Sequence, residues 1–365
     1  MRVLVVNAGS SSLKLRALDE DEAIAGSADL DAPAGRLDAD AVRASLDGLG
    51  PVDAIGHRVV HGGTTFDGPV RIDPAVIARL RALVDLAPLH QPKSLAAIDL
   101  VGQALPDVPA VASFDTAFHA TIPAAASTYA IPEEWRERWA LRRYGFHGLS
   151  HAYAAAKATA FLGPAVTRPR VVTCHLGAGA SLAAVLDGRS VDTTMGFTPL
   201  EGLVMATRSG TVDPGLVLWL EEHVGLPPAE LAAALEHRSG LLGLAGSEDM
   251  RVILADDAAG DARAHLAVEV YLHRLRAGVA AMTAALGGLD ALVFTGGVGE
   301  NAPAIRERAI AGLEFLGLTV DPVRNSGERG GDRPIGHDGA AVGVYVIAAR
   351  EDLQIAREVR AVLAA

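Results

Sequence analysis

The sequence predicts an α/β protein of two domains, and three observations carry that expectation. Short runs of branched apolar residues alternate with helical patterns along the whole chain. The chain has 365 residues, half of them hydrophobic. At ~150 residues per domain that length exceeds one ordinary core, and the apolar content can fill two. Finally, RVLVVNAGSSSLKLRALDEDEAIAG and RVVTCHLGAGASLAAVLDGRSVDT each read strand, small-residue turn, second strand beginning Ser-Leu, charged turn, third strand. With one residue inserted in the second turn, Asn7-Ala8-Gly9 lies opposite His175-Leu176-Gly177. Two such copies suggest a duplicated domain with a cleft between them, although two β-hairpins can agree this well by chance.

The elements follow in chain order. VLVV at 3 to 6 is a buried strand, and it runs directly into Asn7, Gly9, three serines and Lys14. Further strands are expected in AIGHRVVHGG (54 to 63), PAVASFD (109 to 115), RVVTCHLG (170 to 177), DALVFTGG (290 to 297) and VGVYVIA (342 to 348), each ending in turn or polar residues. Helical patterns lie between them. DPAVIARLRALVDL and PKSLAAIDLVGQAL place Pro74 and Pro92 at first helical positions, and Ala262 to Leu286 reads as one long helix.

Composition excludes several function classes. Aromatic residues make up 4% and the formal net charge is −12, so neither base-stacking platforms nor the dense cations that hold a phosphate backbone are present. Cys174 is the only cysteine, which rules out a disulfide framework and fits a reducing compartment. The N-terminus shows no secretory pattern. The longest uncharged apolar stretches, such as GVAAMTAALGGL, fall short of the ~20 residues a bilayer requires. A soluble cytoplasmic protein acting on small molecules, with no nucleic-acid or membrane partner, is expected.

Three strand ends share one chemistry: NAGSSSLK at 7 to 14, HLGAGAS at 175 to 181 and TGGVGEN at 295 to 301. Glycine lets backbone N–H groups approach a phosphate, serine adds donors, and Lys14 adds a mobile charge. Each is also explicable as a plain glycine-rich turn, and none fits the Walker pattern. GHRVVHGG puts Arg58 and His61 in a strand entering a glycine pair. ATRSGTVDPG puts Arg208 in a turn before Asp213, with Pro214 placed to start a helix. Two such arginines suit a carboxylate or a transferring phosphoryl group. Asp115 ends a strand, and YGFHGLSH offers His147 and His151. The His57/His61 and His147/His151 spacings lack the glutamate of a helical zinc site, and a carboxylate facing phosphates suits Mg²⁺ better.

Together these stretches, followed by GFTPLEGLVMATRSGTVDPG, DMR (249 to 251) and REDLQIARE, resemble the acetate and propionate kinase family of the actin-like, sugar-kinase-like ATPases, from residue 2 to about 360. The resemblance implies an α/β fold of two duplicated actin-like, ribonuclease H-like βββαβαβα domains with a nucleotide cleft. Residues 1–119 plus the C-terminal helix 352–365 would form the N-terminal acetokinase domain, and 120–351 the nucleotide-binding one. It implies a homodimer and the reversible reaction acetate + ATP ⇌ acetyl phosphate + ADP by direct in-line transfer, dependent on Mg²⁺ with Mn²⁺ as an alternative. Carried over by position, Asn7 and Glu351 would hold the metal, and Lys14, Ser10 and Ser12 would lie near the phosphates. Arg58 and Arg208 would grip the carboxylate and the phosphoryl in flight, His147 would stabilise the transition state, and Asp115 matches the catalytic aspartate. The nucleotide would rest on His175, Leu176, Gly177, Ala178 and Gly179, on Asp249, Met250 and Arg251, and on Gly297, Val298, Gly299, Glu300 and Asn301. Val60, Leu89, Phe146 and Pro199 would form the pocket for the acyl methyl.

The chemistry agrees with these residue types. A carboxylate nucleophile of pKa ~4–5 is already ionised at pH 7, so Asp115 is expected to orient or link to metal rather than accept a proton. What the transfer needs is relief of repulsion between two anions, which cations supply. Two departures stand out. Ala178 occupies a place where the family usually has Asn, which puts the turnover rate in question, and Thr211 replaces a usual Asp or Asn. The segment before GHRVVHGG is also short. Propionate kinase differs only in pocket volume and remains an alternative, as does a non-catalytic actin-like nucleotide binder. Butyrate kinases differ in the first loop.

Overall fold

The computed structural model describes residues 1–9, 12–32, 37–87, 91–327 and 330–364. The chain divides into two compact units, one made of Met1–Ala120, Phe146–Tyr153 and Arg350–Ala365, the other of Thr121–Gly145 and Ala154–Ala349.

The first unit holds a six-stranded sheet of β1 (Val3–Ala8), β2 (Ser12–Leu18), β3 (Ile24–Asp31), β4 (Ala54–Val59), β5 (Val70–Arg71) and β6 (Ala110–Phe114), in the order β3-β2-β1-β4-β6-β5. β1, β2 and β3 form an antiparallel meander, β1, β4 and β6 run parallel, and β5 closes the edge antiparallel. On β2, Leu13, Leu15 and Ala17 are fully buried while Lys14 between them is exposed, the period of two expected of a strand with one packed face. The helices Ala39–Leu49 and Gln91–Ala104 cover that face with Leu46, Ala97 and Val101 against Leu4, Val6, Leu15 and Ile55. The C-terminal helix Glu351–Ala364 packs against β1, β4 and β6. Gly56 makes this possible: a Cβ there would lie 2.5 Å from Ile355 and 2.7 Å from Val359. Pro74 does open the helix Pro74–Ala82, with Asp73 capping the Val76 N–H at 2.7 Å.

The second unit holds β7 (Arg170–Leu176), β8 (Ala180–Leu186), β9 (Arg189–Thr193), β10 (Ala291–Thr295), β11 (Arg333–Pro334) and β12 (Gly343–Val346). Its order, β9-β8-β7-β10-β12-β11, repeats the first sheet strand for strand, down to the two-residue antiparallel edge. The likeness visible in the sequence over three strands therefore extends to six. The long helix falls at Ala262–Leu286, capped by Asp261 and ended by Gly287 at φ 66°. Gly278 lets it approach β8, since a Cβ there would lie 2.7 Å from the Leu182 side chain.

Two stretches differ from expectation. AIGHRVVHGG leaves the sheet at Val59, because its next residues turn toward Gly62 and Gly63. DALVFTGG leaves the sheet at Thr295, and its last two glycines open a helix, Gly296–Asn301, starting directly from β10. Among the described residues no helix is long and apolar enough to cross a membrane.

Candidate functional site

In the first unit the parallel strands bring three of the singled-out residues to one edge. β1 and β4 pair Val6 with His57, so the next residues, Asn7 and Arg58, lie side by side. β4 and β6 pair Val59 with Phe114, and Asp115 follows immediately. Carboxyl ends of parallel strands are where open α/β sheets bind ligands. Glu351 joins them from the start of the C-terminal helix.

The four side chains form one network. Arg58 Nε and Nη2 donate to the two Asp115 carboxylate oxygens at 3.0 and 2.6 Å, a bidentate pair. Its Nη1 donates to Asn7 Oδ1 at 3.1 Å and lies 3.8 Å from Glu351 Oε2. Asn7 Nδ2 donates to the same Glu351 oxygen at 3.3 Å. Burial disfavours the Arg58 charge, but the Asp115 and Glu351 carboxylates overcome it and hold the guanidinium above its usual range. Burial pushes the Asp115 carboxyl up, Arg58 pulls it back, and the Glu351 charge adds to the rise. One arginine thus faces two carboxylates, an excess of negative charge ringed by oxygen donors. Such a set fits a hard divalent cation, which needs only one or two protein carboxylates when substrate phosphates complete its shell. Among the described residues no group of three or more His, Cys, Asp or Glu side chains is placed to hold a metal.

His147 sits beside Asp115 for a steric reason. Gly148 N–H donates to the Asp115 carbonyl at 2.8 Å, and a Cβ on Gly148 would lie 2.2 Å from that oxygen. Only glycine permits the approach. His147 itself adopts φ 57°, rare for a side chain of its size, and its carbonyl accepts from His151 N–H to start the helix Gly148–Leu162. The turn is pinned from behind by His119, whose Nε2–H donates to the Phe146 carbonyl at 3.0 Å. His61 Nδ1 accepts from Gly63 N–H at 2.9 Å, and its ring meets that of Phe146 edge-on at 5.6 Å. Burial lowers His57 to about 3 and His61 and His119 to about 4, so all three are neutral at pH 7. Val60 and Phe146 are buried in this unit. Lys14 pairs with Asn7 across the hairpin and is exposed, and Ser12 opens β2. Ser10 and Leu89 lie outside the described residues.

The second unit carries the rest. Arg208 is half-buried, and among the described residues its guanidinium makes one hydrogen bond, from Nη1 to the Pro199 carbonyl at 2.8 Å. Among the described residues no carboxylate lies within ion-pair distance of it. Burial lowers its pKa, opposed only by the more distant charge of Glu236. A half-buried arginine with open donors is suited to an anion. HLGAG forms the end of β7 and the turn into β8, closed by Gly177 N–H on the Gly179 carbonyl at 2.9 Å. Thr295 pairs with His175 across the parallel strands, and Gly296, at φ 79°, presses against the Leu176 carbonyl. HLGAG and GGVGEN are therefore neighbours. Ala178 is exposed, whereas Leu176 and Met250 are core residues. Asp249 caps the helix Met250–Ala258 and pairs with exposed Arg251 at 2.6 Å.

Glu300 faces inward: its Oε1 accepts from the N–H groups of Gly296 at 3.0 Å and Ala349 at 2.9 Å. The fully buried Arg306 donates to the Gly299 and Glu300 carbonyls at 2.8 and 2.9 Å, and to Asn325. The sequence reading missed Arg306, His119, Tyr129, Arg143 and Glu201. Their only local signal is polarity within otherwise apolar or glycine-rich stretches. Thr211 is explained, since its Oγ1 accepts from Gly202 N–H and its own N–H donates to the Gly202 carbonyl, both at 3.0 Å.

The profile of the Acetokinase family matches residues 23–357. The chain is 46% identical to the acetate kinase of Leifsonia xyli subsp. xyli, over 100% of this chain and 99% of that one. The crystal structure of Porphyromonas gingivalis acetate kinase superposes with a TM-score of 0.91 at 37% identity, covering 99% of both chains. That of a propionate kinase from Francisella tularensis subsp. tularensis gives the same score, identity and coverage.

Proposed function

The chain belongs to the acetokinase family, and from that premise and the geometry above we infer that it phosphorylates acetate with ATP, reversibly, yielding acetyl phosphate and ADP. The observation that carries the reading is the Arg58–Asp115–Asn7–Glu351 network at the carboxyl ends of β1, β4 and β6.

In this mechanism Asp115 aims the Arg58 guanidinium rather than taking a proton, since the acetate nucleophile is already ionised. Arg58 grips the carboxylate, and Arg208, whose donors stand open, meets the phosphoryl group as it moves. His147 donates a hydrogen bond to the charge that develops there, held in place by its turn against Asp115. Lys14, Ser10 and Ser12 serve the phosphates. HLGAG, the Asp249–Arg251 cap and the GGVGEN helix receive the nucleotide, with Leu176 and Met250 contributing through their backbones and Glu300 by bracing the helix. Asn7 and Glu351 are the residues we assign to Mg²⁺, or Mn²⁺, which when bound neutralises the phosphate oxygens. Val60, Leu89, Phe146 and Pro199 are the residues we assign to the acyl methyl. The relatives named acetate kinase favour acetate over propionate, and one added methylene is worth only ~1–3 kcal/mol in such a pocket, so side activity on propionate follows. We further read the enzyme as cytoplasmic and homodimeric, the latter supported by exposed Leu216, Leu218, Trp219 and Val224.

The test is a panel of short acids with Mg-ATP, trapping products as acyl hydroxamates. Acetate is expected to react best, propionate less well and butyrate poorly. A preference for propionate overturns the substrate assignment, and no product from any acid overturns the kinase.

A further inference from the structure

Arg208 is carried by an unusually long connection. From Thr194 to Asp213, between β9 and the helix beginning at Pro214, the chain has no regular secondary structure. Segments of that length in a compact unit need side chains to fix their shape. Three polar residues do so here. Arg143 Nη1 donates to the carbonyls of Thr193, Thr194 and Met195 at 3.2, 3.1 and 3.0 Å, while its Nη2 donates to Glu201 Oε1 at 2.6 Å. The Tyr129 hydroxyl donates to Glu201 Oε2 at 2.5 Å and accepts from Phe197 N–H at 2.9 Å. Arg143 also lies over the Tyr129 ring at 5.7 Å. The knot closes tightly on Gly196, where a Cβ would fall 1.8 Å from Glu201 and 2.2 Å from the Tyr129 oxygen. Pro199 lies inside the loop so held, and among the described residues its carbonyl is the one atom to which the Arg208 guanidinium is bonded.

We propose that Tyr129, Arg143 and Glu201 form a strap that positions Arg208, by fixing the Pro199 carbonyl on which its guanidinium rests. The inference rests on the role given to Arg208 above. The three are positioning residues: their side-chain hydrogen bonds go to the loop, to Thr193 just before it, or to one another. All three sit partly buried, where a charge-assisted pair of 2.6 Å and a satisfied hydroxyl hold geometry better than they would in water. Tyr129 suits the task because burial, and then the hydrogen bond to Glu201, raise its pKa, which keeps the proton on the hydroxyl.

The experiment is a double-mutant cycle on the full-length enzyme, with Tyr129→Phe and Arg208→Ala alone and together. Tyr129→Phe removes one oxygen, and the loosened loop is expected to lower kcat by about tenfold or more. The KM for ATP should stay within about twofold, since the three side chains bond to the part of the loop before Gly202 and not to the HLGAG turn. In the Arg208→Ala background the same change should cost less than about twofold, because the group it positions is gone. Arg143→Lys keeps the charge beside Glu201 but cannot reach three carbonyls. It serves as the second arm should Tyr129→Phe fail to fold, with the same expected pattern. Full kcat in folded Tyr129→Phe, or an equal loss in both backgrounds, overturns the strap. Wild-type kcat in Arg208→Ala alone would instead remove the role on which the strap depends.

Discussion

Gly148→Ala puts the placement of His147 to the sharpest trial. The added Cβ would stand 2.2 Å from the Asp115 carbonyl oxygen and 2.8 Å from Phe118 Cβ. The shortest ordinary carbon–oxygen contacts are about 3.3 Å, so the turn must retreat by about 1 Å. That retreat breaks the 2.8 Å hydrogen bond from Gly148 N–H to Asp115, which costs about 1 kcal/mol. His147, held at φ 57° by the same turn, moves with it. A displacement of about 1 Å at a reacting group costs on the order of 10²-fold in rate. The assay is kcat for ADP release, coupled to oxidation of NADH, with the melting temperature measured alongside. A folded Gly148→Ala enzyme whose kcat stays within about threefold of wild type would refute the argument that this close approach sets the catalytic geometry.

Other outcomes follow from the same coordinates. Gly102, in the helix Gln91–Ala104, has nothing within 4 Å of a Cβ, so Gly102→Ala should raise stability by about 0.5–1 kcal/mol in urea denaturation and leave kcat unchanged. His57, His61 and His119 have folded pKa values of about 3, 4 and 4, below the unfolded value near 6.5, so the unfolded chain binds more protons between those limits. Their contribution is therefore fully present above about pH 6.5 and lost as pH falls, by about 1–2 kcal/mol per histidine between pH 7 and 5. A urea midpoint that holds steady or rises over that interval would contradict the sign. Asn7→Ala and Glu351→Gln should each raise the Mg²⁺ concentration needed for half-maximal rate by about tenfold, read by Mg²⁺ titration at fixed ATP.

Much of the fold was legible because it rests on local pattern. Period-two burial on β2, Pro74 and Pro214 at first helical positions, and the repeated strand-hairpin-strand units all follow from chemistry within a few residues. The helical state of GGVGEN was not legible, because a glycine-rich hexamer carries little helical propensity. Its helix is held by its own Glu300 on the Gly296 N–H and, from outside, by Arg306 on the Gly299 and Glu300 carbonyls. The two-residue strands β5 and β11 are too short to leave a pattern. At the site, Arg58, Asp115 and Asn7 were foreseeable because strand ends converge by topology. The Tyr129–Glu201–Arg143 strap was not: its members are far apart in sequence and meet only once the loop from Thr194 to Asp213 has folded back on them.

The reverse reaction tests the central claim most directly. Purified protein mixed with acetyl phosphate, ADP and Mg²⁺ should form ATP, monitored continuously by luciferase, and the signal should fall by about 10²-fold or more in Arg58→Ala. No ATP above the protein-free control would contradict the assignment of this chain as a carboxylate phosphotransferase, and an undiminished rate in Arg58→Ala would contradict the network on which its mechanism is built.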